Sequence, residues 1–144
     1  MTNNEYIQTI NRLLKECDMV YHDAAANAGL SDCAFWILYT LQDTDRSYIQ
    51  SEIGDLASMP RQTVNSALKK LERDGILTLE HTEGKLRKHI CLTEKGQDFS
   101  EQYIVPVMQA ELRVCASFPD EEKDLLLRIF RSFVEKMSNE IKDI

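Results

Sequence analysis

The side chains with the clearest chemical potential lie between positions 60 and 74. If this segment is a helix, Val64, Ala67 and Leu68 form one buried stripe, and hydrogen-bond donors occupy the remaining surface. Each donor can bond to a phosphate oxygen or to the edge of a base, and no acidic residue interrupts the segment before Glu72. The pattern predicts a DNA-binding helix face made of seven residues: Arg61, Gln62, Thr63, Asn65, Ser66, Lys69 and Lys70.

The charge of the chain is unevenly distributed around this segment. The 144 residues carry a net charge of −7, which on average opposes binding to a polyanion. Residues 60–95, however, hold eight Lys or Arg against five Asp or Glu, a net of +3, whereas the rest of the chain holds nine against nineteen. This basic island is the electrostatic footprint expected for a localised nucleic-acid contact.

Three helices are predicted before the donor-bearing helix. Apolar residues recur at steps of three and four over about 6–26, which indicates an amphipathic helix. Ser31 is suited to cap a second helix over about 31–43, and a short third helix is expected near 50–57. Pro60 is suited to the first position of the fourth helix, which therefore follows the third after a tight turn.

A pair of strands with a basic far end is predicted after the fourth helix. Gly75 should end that helix in the left-handed conformation. Residues 76–81 and 87–92 have strand character, and a polar tip at 82–85 joins them into a two-stranded hairpin. Such a hairpin can straddle the DNA backbone and bring cations towards the minor groove. The cations placed for this role are Lys85, Arg87 and Lys88.

Two long helices are predicted to complete the chain, one over about 93–117 with a kink at Pro106 and one over about 120–143. The apolar stripes of the last helix and of the first exceed what a small winged-helix core can cover, so a two-fold dimer is expected to bury them. The expected fold is mainly α with a small β-hairpin wing. A winged helix-turn-helix lobe over about 31–96 joins a helical dimerisation region over about 5–27 and 97–144, within a single domain 1–144.

The chain resembles the MarR (multiple antibiotic resistance) family of bacterial transcription regulators over nearly its whole length. Five short stretches of sequence carry the resemblance: Leu30-Ser31, Gln50-Ser51-Glu52-Ile53, Gln62-Thr63-Val64, Leu71-Glu72-Arg73-Asp74-Gly75 and Leu92-Thr93-Glu94-Lys95-Gly96. The last of these is the most specific, because it directly follows the hairpin. The resemblance implies a homodimer with intertwined terminal helices that binds palindromic double-stranded DNA. It also implies repression of nearby genes, relieved by a small ligand or by oxidation.

Two positions depart from the family pattern. A Thr-Arg pair is common in the middle of the family's recognition helix, and Asn65-Ser66 stands there instead, so the family's base preference does not transfer. An Asp-x-Arg tip is usual in the wing, and Gly84-Lys85-Leu86 takes its place, with the cations shifted along the hairpin.

The resemblance also implies an effector cavity between the dimer helices and the DNA-binding lobe. Trp36 and Tyr39 are three residues apart and share a face of the second helix. Together with Tyr21 and His22, they are candidate binding residues for a small aromatic or amphipathic effector. An ordinary aromatic core or interface remains the alternative interpretation.

The remaining features favour neither an enzyme nor a membrane protein. No nucleophile–base pair, phosphate-cradling glycine loop or metal-ligand spacing is visible, so no cofactor or metal is expected. The four cysteines lack a Cys-x-x-Cys pair and are expected to be buried thiols of a cytoplasmic protein. Two alternatives stay open: a winged-helix module for protein–protein contact, whose affinity should lack steep salt dependence, and a thiol-based redox-sensing regulator.

Overall fold

Three of the helices begin after a residue whose side chain caps a free backbone amide: Thr2, Ser31 and Thr93. In the computed structural model, which describes residues 1–42, 47–81 and 88–144, helix α1 begins with a capping box between Thr2 and Glu5. Ser31 accepts a hydrogen bond from the Ala34 amide at 3.1 Å and caps α2, as predicted. The helices are α1 (Asn3–Asn27), α2 (Asp32–Thr40), α3 (Gln50–Ala57), α4 (Arg61–Arg73), α5 (Glu94–Tyr103), α6 (Val105–Ala116) and α7 (Asp120–Lys142). The strands are β1 (Tyr48–Ile49), β2 (Leu77–His81) and β3 (Lys88–Leu92).

Helix α2 ends three residues earlier than the sequence suggested. Gln42 Nε2 donates to the Leu38 carbonyl at 2.9 Å, and Thr40 Oγ1 donates to the Trp36 carbonyl at 2.8 Å. These side chains supply partners for carbonyls of the last turns, so the backbone can leave the helix without orphaned acceptors.

Helix α4 buries the predicted stripe, since Val64, Leu68 and Leu71 are each at most 2% exposed. Pro60 precedes the helix as its N-cap and is not its first helical residue, which corrects the prediction by one position. Gly75 follows with φ of +72°, the left-handed conformation expected of a residue that ends a helix.

Within residues 47–81 and 88–144 the sheet has three strands rather than the predicted two, in the order β1-β3-β2 and antiparallel throughout. Strands β2 and β3 form the predicted hairpin, with Leu77 opposite Leu92 and His81 opposite Lys88. The added strand β1 pairs Tyr48 with Ile90. A strand of two residues is too short to show an alternation of apolar and polar side chains. Strand β1 is therefore defined only by its long-range pairing with β3.

The stretch Leu92-Thr93-Glu94-Lys95-Gly96, which follows the hairpin, connects α4, the sheet and α5. Thr93 Oγ1 accepts from the Gly96 amide at 3.0 Å and donates to the Gly75 carbonyl. Lys95 Nζ donates to the Asp74 carbonyl at 2.7 Å. Gly96 lies against the backbone of Ile76, so the string is explained by backbone contacts that fix the end of α4 against the start of α5.

The predicted helix over 93–117 is two helices, α5 and α6, separated at Ile104. Pro106 has no amide hydrogen for the carbonyl of Gln102, and its ring excludes that carbonyl from the helical position. The predicted kink is therefore a break, and Ile104 is fully buried there.

The backbone contacts divide the chain into two units, residues 1–107 and 108–144. The first contains α1 to α5 and the sheet, with its core around Phe35, Ile37, Leu38 and Leu77. The second contains α7 and most of α6, and neither helix has a buried residue. Within the described residues no helix is both long and apolar enough to cross a membrane. The fold class predicted from the sequence is confirmed.

Candidate DNA-binding surface

Helix α4 presents the predicted donors as an exposed ridge. Arg61, Lys69 and Lys70 are exposed, and within the described residues none of the three takes part in an ion pair. Asn65 is half-buried, and the other exposed donors are Gln62, Thr63 and Ser66. Because no described carboxylate neutralises these cations, their charge is available to an external anion. This face is therefore suited to phosphate contact.

One flank of the ridge borders a cleft of about 540 Å³ beside α3, here called the α3 cleft. Arg61 and Asn65 line it from α4, Gln50 from α3 and Lys88 from β3. Arg61 and Asn65 are four residues apart and therefore on one face of the helix. Two cations and two amides meet in this cleft.

The other flank borders a larger cleft of about 870 Å³ beside α2, here called the α2 cleft. Gln62, Thr63, Ser66 and Lys70 line it from α4. The Ser66 hydroxyl donates to the Gln62 carbonyl at 2.9 Å, so its hydrogen is used within the helix. Lys69 lines neither cleft and stands on the ridge between them.

The wing contributes one predicted cation that the structure describes. Lys88 is exposed at the start of β3, beside the α3 cleft. Lys85 and Arg87, and with them the tip Gly84-Lys85-Leu86, lie outside the described residues. Lys95 belongs to the basic island but its ammonium is bonded to the Asp74 carbonyl, so its role is structural.

Three of the four candidate effector residues form one aromatic cluster. The ring centroids of Tyr21 and Trp36 are 4.9 Å apart and those of Trp36 and Tyr39 are 5.1 Å apart, and all three rings are partly exposed. His22 is not among these ring contacts. Its Nδ1 is 2.8 Å from Asp32 Oδ1, and it lines the α2 cleft instead.

The cysteines are not uniformly buried, which corrects the expectation for two of them. Cys17 and Cys115 are exposed, Cys91 is half-buried and Cys33 is buried. Burial raises the pKa of the Cys33 thiol, and burial followed by the charge of Glu80 raises the pKa of Cys91. A raised pKa lowers the fraction of reactive thiolate at neutral pH. Among the described residues no group of three or more His, Cys, Asp or Glu could hold a metal ion.

Gln50 was missed as a site residue by the sequence reasoning. It donates from Nε2 to Asn65 Oδ1 at 2.5 Å. The two residues are 15 positions apart on different helices, and neither helical spacing nor charge pattern links them. The signals in the sequence were the place of Gln50 at the start of a short helix ahead of the tight turn and its position in the string Gln50-Ser51-Glu52-Ile53.

This arrangement of helix, tight turn, donor-bearing helix and antiparallel wing defines a winged helix-turn-helix protein. Residues 28–88 match the family model described as MarR family. This match covers 61 of the 144 residues, so the chain is similar to the MarR family of transcription regulators over its winged helix-turn-helix lobe, and the resemblance drawn from the sequence is confirmed.

Two relatives show how far the similarity extends along the chain. The HTH-type transcriptional repressor YetL of Bacillus subtilis is 29% identical over 126 residues, covering 86% of this chain and 75% of YetL. YwoH of the same organism, described as an uncharacterized HTH-type transcriptional regulator, is 26% identical over 134 residues, covering 93% of this chain and 97% of YwoH.

Solved structures share the fold. NMB1585, a MarR family regulator from Neisseria meningitidis, has a TM-score of 0.77 at 25% identity, with 99% of each chain covered. A protein described as a MarR family transcriptional regulator from Listeria monocytogenes, complexed with a 26mer DNA, has a TM-score of 0.70 at 20% identity. That comparison covers 93% of this chain and 89% of the other.

Proposed function

We propose that the chain is a homodimeric repressor that binds palindromic double-stranded DNA and is released by a small aromatic or amphipathic ligand. Helix α4 enters the major groove, and the wing lies against the neighbouring backbone. The proposed DNA-binding residues are Arg61, Gln62, Thr63, Asn65, Ser66, Lys69, Lys70, Lys85, Arg87 and Lys88.

The observation that carries the proposal is the acid-free exposed ridge of α4, whose first acidic residue is Glu72 in its last turn. In a chain of net charge −7, a helix face that holds only donors and cations is unexpected unless an anion binds there. The DNA complex of the Listeria relative and the repressor name of YetL support the same function.

A homodimer is supported by the exposed apolar residues of α7. Leu126, Ile129 and Ile141 are 66%, 58% and 57% exposed within the chain. A continuous stripe of this kind is typical of a protein interface. A two-fold axis would place two α4 helices about 34 Å apart, one turn of B-DNA, which matches the two halves of a palindrome.

Effector binding is supported by the aromatic cluster of Tyr21, Trp36 and Tyr39. Partly exposed rings that already contact one another offer an amphipathic surface to a flat aromatic ligand. Trp36 is the only tryptophan of the chain, so its fluorescence reports on this cluster alone. Titration with a panel of aromatic acids and phenols should shift its emission, and a ligand that does so should also weaken DNA binding.

The proposal is tested by fluorescence anisotropy with a labelled duplex from the region upstream of the chain's own gene and with a scrambled duplex, at several salt concentrations. The wild type is expected to prefer the upstream duplex and to lose affinity as salt rises. Each phosphate contact contributes a log–log slope of about 0.9. The Arg61→Ala/Lys69→Ala variant should therefore bind more weakly and with a shallower slope.

The matched control removes two exposed cations from the polar face of α7, as Arg128→Ala/Lys142→Ala. This variant has the same net charge as the first and should retain near-wild-type affinity. Equal losses in both variants would mean that total charge, not the α4 ridge, drives binding. Equal, salt-insensitive binding to both duplexes would favour the alternative of a protein-interaction module.

A further inference from the structure

The α3 cleft contains a hydrogen-bonded pair of amides. Gln50 opens α3, Asn65 lies in the second turn of α4, and Gln50 Nε2 donates to Asn65 Oδ1 at 2.5 Å. Both side chains are half-buried in the lining of the cleft. The pair joins the two helices of the helix-turn-helix at the level of their side chains.

The hydrogen bond fixes the orientation of the Asn65 amide relative to the Gln50 amide. A lone asparagine amide can turn end for end and present either a donor or an acceptor to a ligand. Because Gln50 holds Oδ1, the Nδ2 group of Asn65 is kept as the donating end. The Oε1 atom of Gln50 and the second lone pair of Asn65 Oδ1 add acceptors to the same pair.

This combination is complementary to adenine. In the major groove adenine offers the N7 acceptor beside the N6 donor, whereas guanine offers two acceptors, N7 and O6. An orientated donor with an adjacent carbonyl oxygen satisfies both groups of adenine, but it brings a carbonyl against O6 of guanine. We infer that Gln50 is a positioning residue that holds Asn65 for adenine recognition at one base pair of each half-site. The inference rests on the proposed DNA-binding function.

The surroundings of the pair are consistent with this role. Arg61, one helical turn before Asn65, and Lys88 of β3 line the same cleft and can bind the phosphates on either side of a base. Asp55 is the carboxylate in the lining and opposes the approach of phosphate at its own position. Phosphate contacts would then set the register, and the amide pair would read the base.

The test uses duplexes enriched by the full-length wild type from a randomised pool, each then changed at one base pair at a time. The variants are Gln50→Met, Asn65→Ala and the double variant, with Gln97→Met as the control. Methionine keeps the length of glutamine but donates no hydrogen bond. Gln97 is an exposed amide on α5 that lines neither cleft and is not among the proposed DNA-binding residues. Thermal unfolding of each variant is measured in parallel.

The wild type should prefer adenine at one position of the half-site by about 5- to 150-fold. Gln50→Met and Asn65→Ala should both reduce this preference, at that position only, to below about threefold. The double variant should lose no more than Asn65→Ala alone, because the residues act as one unit. Gln97→Met should keep the preference, and Gln50→Met should keep the wild-type salt dependence and unfolding temperature.

An unchanged adenine preference in Gln50→Met would overturn the inference while leaving the proposed function intact. The inference would also be overturned if Gln50→Met reduced the base preference equally at every position of the half-site. Failure of the wild type to enrich or to bind any duplex at low salt would overturn the proposed function, and the inference with it.

Discussion

Gly96 lies so close to the backbone of Ile76, just before β2, that no side chain fits there. A Cβ atom built on it would be 1.9 Å from the carbonyl oxygen of Ile76. Gly54, in α3, has no heavy atom within 4 Å of the equivalent position. The two glycines share a residue type but differ completely in the space around them.

We therefore expect opposite effects from alanine at these two positions. Gly96→Ala must displace backbone and should lower the free energy of unfolding by about 1–3 kcal/mol or more. Gly54→Ala removes a flexible residue from a helix and should raise it by about 0.5–1 kcal/mol. Urea unfolding followed by circular dichroism measures both, and a Gly96→Ala protein as stable as the wild type would contradict the contact described here.

The Cys33 thiol should be protected from alkylation in the folded protein. Burial raises its pKa, and the thiolate is the reactive form, so at pH 8 less of the nucleophile is present than for an ordinary thiol. In a protein whose other three cysteines are serine, alkylation of Cys33 by iodoacetamide should be on the order of tenfold slower when folded than in urea. The rate should rise with pH as the thiolate forms.

Equal rates in the folded and unfolded protein would show that Cys33 is accessible. Such a result would support the thiol-based redox-sensing alternative.

At the scale of elements, capping explains where α5 begins. Thr93 Oγ1 accepts from the Gly96 amide and donates to carbonyls at the end of the α4–β2 turn. Thr93→Ala should cost about 0.5–2 kcal/mol of unfolding free energy, whereas Thr93→Ser keeps the hydroxyl and should cost less than half of that. The two variants are compared by chemical denaturation. Equal costs would assign the effect to the lost methyl group and not to the cap.

Elements with a repeating pattern were predictable from the sequence, and those defined by a distant partner were not. The buried stripe of α4 and the cap at Ser31 follow from local spacing and local hydrogen bonds. Strand β1 and the Gln50–Asn65 pair depend on residues far away in the chain, so no local pattern reveals them. The break at Ile104 was expected only as a kink, because Pro106 marks a disruption without specifying its extent.

The donor ridge of the candidate site was predictable for the same reason. The seven donors of α4 were found because the buried stripe leaves only one possible solvent face for them. The separation of His22 from the aromatic cluster was not predictable, since its hydrogen bond to Asp32 joins two different helices.

The proposed function requires a dimer formed through α7. Ile129→Glu places a charge on the apolar stripe, and Asn139→Glu adds the same charge on the polar face of the helix. Sedimentation velocity should find a dimer for the wild type and for Asn139→Glu, and a monomer for Ile129→Glu at the same concentration. A wild type that stays monomeric at every concentration would contradict the dimer.

In the proposed dimer, the two α4 helices read two half-sites on the same side of the DNA. The most direct test measures the affinity of the wild type for an enriched palindromic duplex and for the same duplex with five base pairs inserted between the half-sites. The insertion rotates one half-site by about half a turn. We predict selective binding of one dimer to the palindrome and a loss of at least about tenfold on insertion. Equal affinity for the palindrome, the lengthened duplex and a scrambled duplex would contradict the account.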